Sequence, residues 1–334
     1  MHARKSLLSL AILFAVSGAA MADSSTVNTS QAGSDNKLAV DQQGATQSTV
    51  TVNQNGGRNT AGSSLNGGTP VSQRATYSNL TINQTGYYNI AGAKQAGNNN
   101  SGSITQNAGG PQPQIASLDQ SGGYSKATID QQGNYSTSAS ITQGGGNNNT
   151  ASTSQTRNST GVGGIISQAG SYNLASVSQQ GNSNSVTGKV TQAGNSNTGA
   201  VSQERNQALV AATLQQTGNN NVGSIQQTGT SFSTATAQQR GDFNTLSVSQ
   251  NGTSLTADVQ QVGNNNYASS TQTSVNNEET LLQTGNNNRA VVSQTGTGTS
   301  QSSNIVGLTQ SGNNLVANVS QTGGSGNVAS IYQH

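Results

Sequence analysis

From residue 36 to residue 42 the chain reads Asn-Lys-Leu-Ala-Val-Asp-Gln, and its side chains alternate strictly in character. Asn36, Leu38, Val40 and Gln42 fall on one face, while Lys37, Ala39 and Asp41 fall on the other. Period two sustained over this span predicts a β-strand with one face buried. The residues just before it, Ala32-Gly33-Ser34-Asp35, are small or turn-forming. Glycine accepts positive φ at no steric cost, so this half predicts a tight turn. The unit is strand plus turn.

That unit recurs along the chain. Its frame is Q-x-G-x-x-N-x-A-x-V-x-Q, the last Gln opens the next copy, and the step is 11 residues. Clean copies begin at Gln31, Gln84, Gln95, Gln168, Gln192, Gln216, Gln239, Gln261 and Gln283, and variants begin at Gln120, Gln227, Gln250, Gln272 and Gln310. Longer spacers separate Gln143 from Gln155 and Gln294 from Gln310. The stretch from Asn55 to Thr76 is the least regular, and an inserted loop is expected near 107–114, around Pro111-Gln-Pro113. Roughly 26 copies in tandem carry the signature of a solenoid or array. The expected fold is all-β: a β-solenoid, or cross-β stack, of 22-residue strand–turn–strand circuits with two strands per layer. About 13 layers would span about 60 Å.

The placement of charge checks the register. Lys37, Asp41, Lys94, Asp119, Lys126, Asp130, Lys189, Asp258, Glu278 and Arg289 all take outward strand positions. Asp35, Arg58, Arg74, Arg157, Glu204, Arg205, Arg240 and Asp242 fall in turns or connections. Glu279 alone takes an inward position, and a local bulge or weak point is expected there. A disordered polar spacer would not sort its charges in this way.

Stacking the circuits explains why Gln and Asn are kept while the apolar residues vary. Each residue then lies about 4.8 Å above its counterpart, and a primary amide, being both donor and acceptor, bonds to its copy in the next layer. The ladder positions are Gln31, Asn36 and Gln42; Gln84, Asn89, Gln95, Asn100 and Gln106; Gln168, Asn173 and Gln179; Gln192, Asn197 and Gln203; Gln216, Asn221 and Gln227; Gln239, Asn244 and Gln250; Gln261, Asn266 and Gln272; Gln283, Asn288 and Gln294; Gln310; and Gln321. Turn glycines are Gly33, Gly86, Gly97, Gly170, Gly194, Gly218, Gly263, Gly285 and Gly312. Ala, Val, Ile and Leu between them need only fit between two sheets about 10 Å apart. A slip of one residue would turn every amide outward.

Composition fits this picture. Only 29% of the 334 residues are hydrophobic and 3% aromatic, too few for an ordinary core of large side chains. Residues 1–22 form a different segment: Arg4 and Lys5, an apolar run from Leu7 to Val16, and Ala20-Met21-Ala22. This reads as a secretory signal peptide, which leaves 23–334 as the repeat region of a secreted chain. Arg4 and Lys5 would leave with the signal, so basic and acidic residues balance in the remainder. Little self-repulsion keeps copies apart, and no basic excess points to nucleic acid. No second apolar run is present for membrane insertion, and there is no Cys for disulfides.

Candidate chemistry is sparse. The only histidines are His2 and His334, so no Ser/His/Asp constellation can be built. Glu278-Glu279 are neighbours on a strand and point to opposite faces, which disfavours an acid/base or metal pair. The Gly-rich turns lack the Lys-Ser/Thr of a phosphate loop. Neither an enzyme, a cofactor nor a metal is expected. Tyr77, Tyr88, Tyr124, Tyr135, Tyr172 and Phe243 each lie four residues after a repeat Gln. Two readings stay open for them: rings that stiffen the edge of a fibre, or a surface row that binds carbohydrate or aromatic dyes.

This tandem pattern behind a signal peptide resembles the curlin family, the subunits of bacterial curli amyloid fibres, across 23–334. The resemblance implies export through an outer-membrane channel, assembly started by a nucleator subunit, and extracellular cell-surface fibres that support biofilm, adhesion and surface colonisation. It implies that the chain's main partner is itself. It assigns zipper roles to Gln84, Asn89 and Gln95 with Gly86 in the turn, to Gln168, Asn173 and Gln179 with Gly170, and to Gln283, Asn288 and Gln294 with Gly285. Two features depart from the family: the repeats are far more numerous than usual, and Asp23 to Ser30 is not glycine-rich. The alternatives are a monomeric secreted solenoid that binds a ligand or surface, or a minor subunit that nucleates fibres.

Overall fold

A computed structural model describes residues 24–62, 71–108 and 110–334, so the expected signal peptide lies outside the described residues. The described chain is an all-β solenoid built from two parallel sheets, one of 13 strands and one of 15. The first sheet runs from the strand Thr26–Ser34 to Val316–Gln321; the second runs from Lys37–Leu38 to Val328–Gln333. The chain alternates between the sheets, so neighbours within a sheet are one circuit apart and run in the same direction. Like therefore pairs with like. Gln203, for example, is in register with Gln179 below and Gln227 above.

Apolar residues at the inward positions make one continuous core between the sheets. They are less free than the repeat frame implies. Where one sheet is short of volume, the other supplies it: a Cβ added to Gly223 would lie 2.7 Å from Cδ1 of Leu214 on the opposite sheet. A Cβ on Gly199 would lie 2.9 Å from Cγ1 of Val190. Small and large residues thus interlock across the core, as close packing requires. The strand charges expected to face outward are all exposed or half-buried. Glu279 does face inward and is fully buried. It makes no bulge, for its strand Asn277–Thr284 keeps unbroken register with both neighbours.

The 22-residue circuit needs correcting in the middle of the stack. From Gln239 to Gln261 and on to Gln283, ladder partners are 22 residues apart, whereas from Gln155 to Gln179, Gln203 and Gln227 they are 24 apart. The two corners are unequal. From Gln168 onward in this region the corner returning from the second sheet to the first keeps the 11-residue step, as from Gln192 to Gln203, after one 12-residue step from Gln143 to Gln155. The corner leading from the first sheet to the second is wider there, and Val162, Val186 and Val210 close it with a small buried cluster of their own. The inserted loop is in place, with residues 110–113 lying between the strands Ser101–Ala108 and Gln114–Gly123. The spacer after Gln294 is extruded at the wider corner, closed by paired hydrogen bonds between Thr299 and Ser302.

Candidate functional site: amide columns and open end layers

Two columns of glutamine run the length of the stack, one at the end of each sheet's strands. In the first sheet Gln31 donates from Nε2 to Oε1 of Gln54 (2.6 Å), and the relay passes through Gln84, Gln106, Gln131, Gln155, Gln179, Gln203, Gln227, Gln250, Gln272 and Gln294 to Gln321. In the second it passes from Gln42 through Gln73, Gln95, Gln120, Gln143, Gln168, Gln192, Gln216, Gln239, Gln261, Gln283 and Gln310 to Gln333. No layer is skipped.

Each amide has a second N–H, and in every column glutamine but Gln31 it crosses the core. Gln203 Nε2 donates to the Thr187 carbonyl at 3.0 Å, and Gln216 Nε2 donates to the Thr198 carbonyl at 2.9 Å. The Gln columns therefore join successive layers and also clasp the two sheets. This second role comes from the turn of the solenoid and was not expected from the repeat.

Most of the predicted asparagines form ladders too, by a different route; Asn100 instead lies between Ser78 and Ser125, and Asn89 lies below Gln114 with no hydrogen-bond partner for its Oδ1 among the described residues. Asn197 donates its backbone N–H to Oδ1 of Asn173 (3.0 Å) and its Nδ2 to the Gly218 carbonyl one layer above (2.8 Å). Asn221 and Asn244 repeat this with Gly241 and Gly263. These side chains chiefly satisfy turn backbone rather than only one another, which suits groups buried at a strand start.

Two further Asn sets were not singled out in the sequence. Asn158, Asn182 and Asn206 are buried at the wider corner, where Asn182 N–H donates to Asn158 Oδ1 at 2.9 Å. They share a legible signal, an Asn three residues after the repeat Gln. An outer column joins Asn195, Asn219, Asp242, Asn264, Asn286 and Asn313 by bonds from backbone N–H to side-chain oxygen. It uses the first Asn of the Asn-Asn-Asn triplets, or its replacement.

All the predicted turn glycines have positive φ, from +89° at Gly86 to +151° at Gly312. Tyr77, Tyr88, Tyr124, Tyr172 and Phe243 also have positive φ, whereas at Tyr135 the following residue, Ser136, takes that conformation.

Among the described residues the end layers are open. The strand Thr26–Ser34 is exposed throughout except for half-buried Gln31, and Val328–Gln333 alternates exposed with half-buried. Among the described residues nothing donates to Oε1 of Gln31 or Gln42. At the far end, Nε2 of Gln321 and Gln333 have no glutamine above them; Gln321 donates to the carbonyls of Ile305 (2.9 Å) and Asn327 (3.2 Å), and Gln333 donates to that of Val316 (3.0 Å). Every amide in a column must point the same way, so one end presents acceptors and the other donors.

Glu278 is exposed and Glu279 buried, on opposite faces of their strand. Burial pushes the Glu279 carboxyl up to about 7, partly offset by a hydrogen bond from Ser270 Oγ to Oε2. Its Oε1 has no hydrogen-bond partner among the described residues. Among those residues no cluster of His, Cys, Asp and Glu could hold a metal ion, and no helix is long and apolar enough to cross a membrane.

No protein-family model matches the chain, and no curated protein matches it.

Proposed function

We propose that this chain is a secreted structural subunit whose activity is its own polymerisation, end to end, into curli-like extracellular fibres. Such fibres would serve biofilm matrix, adhesion and surface colonisation. One observation carries the reading: the two end layers are open, stay in pattern, and present complementary halves of the same amide columns. A second copy placed on the last layer continues the solenoid without a break. Its Thr26–Gln31 segment takes the register of Val316–Gln321, and its Lys37–Gln42 segment takes that of Val328–Gln333. Gln321 then donates to Gln31 of the next copy, and Gln333 donates to Gln42. Like ends offer no such match, since acceptors would face acceptors. Unpaired flat edges of this kind template further strand pairing.

The test is to purify residues 23–334 and let them stand at neutral pH. Fibres with meridional cross-β diffraction at about 4.7 Å are the expected result. A chain that stays monomeric at high concentration overturns the proposal and leaves a ligand-binding solenoid. Replacement at the joint gives a sharper measurement. Gln321→Ala should slow seeded elongation roughly tenfold, from the loss of one buried amide bond at each new contact. Outward-facing Ser320→Ala should leave the rate near that of the parent. Equal rates for the two variants would remove the amide columns from the assembly mechanism.

A further inference from the structure

The tyrosines on the 11-residue corner carry a second inference. Backbone bonds thread this corner layer by layer: Asn99 N–H to the Thr76 carbonyl, Tyr124 to Asn98, Asn148 to Gly123, and Tyr172 to Asn147. Tyr77, Asn99, Tyr124, Asn148 and Tyr172 are thus successive members of one column. The rings recur in every second layer, about 9.6 Å apart, which is two strand spacings.

These tyrosines do not serve the fold. Their φ angles are +52°, +54° and +58°, a left-handed conformation in which bulky residues are strained. In most other layers the same column position is held by Asn or Ser, residues better suited to it, the exceptions being Gln47 and Phe243. The three rings are 55%, 64% and 65% exposed. The chain therefore places large apolar groups at strained sites and leaves them in water, at a regular spacing. Strain at an exposed, repeated feature points to function rather than stability.

We propose that this column binds an extended, uncharged β-1,4-linked polysaccharide, with each tyrosine stacked on every second sugar ring. Successive rings of such a chain alternate in orientation, so one face recurs every second sugar, over a length close to two strand spacings. The weakly polar C–H face of a pyranose suits the negative face of an aromatic ring. Between the rings lie Asn98, Asn99, Asn147 and Asn148, amides able to bond sugar hydroxyls. Of the turn residues 74–78, 96–100, 121–125, 144–149 and 169–173 only Arg74 is charged, and it lies beside the outermost of the three rings, so the two inner intervals present no charge to an acidic glycan. All three rings belong to one copy, so the site does not depend on polymerisation.

The experiment measures depletion of the chain, residues 23–334, by microcrystalline cellulose, by chitin and by starch, with cellohexaose and chitohexaose as soluble competitors. Binding to cellulose, to chitin or to both, but not to starch, supports the proposal; which one binds identifies the sugar. Tyr124→Asn should weaken binding roughly tenfold, and Tyr124→Trp should keep it. Asn fits the left-handed site, so circular dichroism should be unchanged. Phe243→Asn removes a ring three layers beyond Tyr172, outside the alternation, and should have no effect. Binding to neither β-1,4 polymer, equal binding to starch, or full binding by a variant with Asn at all three tyrosine positions would overturn the proposal.

Discussion

Gly194→Ala is expected to open the stack at its layer and lose about 4 kcal/mol of local stability, a size reached only when backbone strain and a steric clash combine. Gly194 has φ of +111°, and a Cβ built on it would lie 2.0 Å from the carbonyl oxygen of Gly218 in the next layer. The obstacle is backbone on the next circuit, which cannot rotate away. The same contact recurs up this corner: a Cβ on Gly97 would meet the oxygen of Gly122 at 1.8 Å, and one on Gly263 would meet that of Gly285 at 2.0 Å. Gly229 makes the contrast, with φ of +61° and nothing within 4 Å of its added Cβ. Gly229→Ala should cost only about 1 kcal/mol, the ordinary penalty for a left-handed L-residue. Amide hydrogen exchange resolved by peptide is the appropriate measurement, because a repeat stack opens layer by layer rather than all at once. Exchange in 186–217 should quicken strongly in Gly194→Ala and little in Gly229→Ala. Similar behaviour of the two variants would show that close approach at this corner is not limiting.

The second large effect concerns pH. The Glu279 carboxyl is buried and pushed up to about 7 from an ordinary 4.5, and desolvation is the main cause. Its column neighbours in the second sheet are Ala257 below and Val306 above, and Ser270 faces it from the first sheet. None of these carries a charge to stabilise the carboxylate. The native state holds this proton more tightly than the unfolded chain, so stability is full below about pH 4.5. It falls as pH rises through the native value near 7, then levels off. The loss across this window is about 3 kcal/mol. Exchange protection of the strands Thr256–Val262, Asn277–Thr284 and Asn304–Ser311 should therefore be higher at pH 5 than at pH 8. Glu279→Ala, which restores the residue type of Ala257, should abolish that difference and protect these strands at pH 8. A parent chain with level protection from pH 5 to 8 would contradict buried ionisation at this site.

Much of this molecule is legible in its repeat. Alternation places Leu38 and Val40 inward with Asn36 and Gln42, and the charge distribution agrees with that register. The glutamine columns follow because equal spacing puts Gln over Gln, and a buried amide needs a donor and an acceptor in every layer. The turn glycines are legible because few residues accept positive φ. Glu279 is recognisable as out of place, although its strand is unbroken.

Other features depend on chain segments that are distant in sequence. Nothing near Gln203 indicates that its second N–H reaches the Thr187 carbonyl, since that contact depends on how one sheet lies over the other. The pairing of Gly223 with Leu214 is of the same kind: each position alone looks like a tolerant apolar site, and only the opposed sheet shows that their volumes compensate. The wider corner closed by Val162, Val186 and Val210 breaks the 22-residue circuit without breaking the ladders, because the extra residues leave the stack and return in register. The alternation of Tyr77, Tyr124 and Tyr172 also requires the fold, for their separations in sequence are uneven and only stacking brings them to a common interval. Sequence by itself determined the face and strand position of each residue, because a period of two and one solenoid step express both directly. The tertiary structure decided which residues meet across the core and around the corners, because those contacts depend on sheet offset and turn width, neither of which leaves a period in the chain.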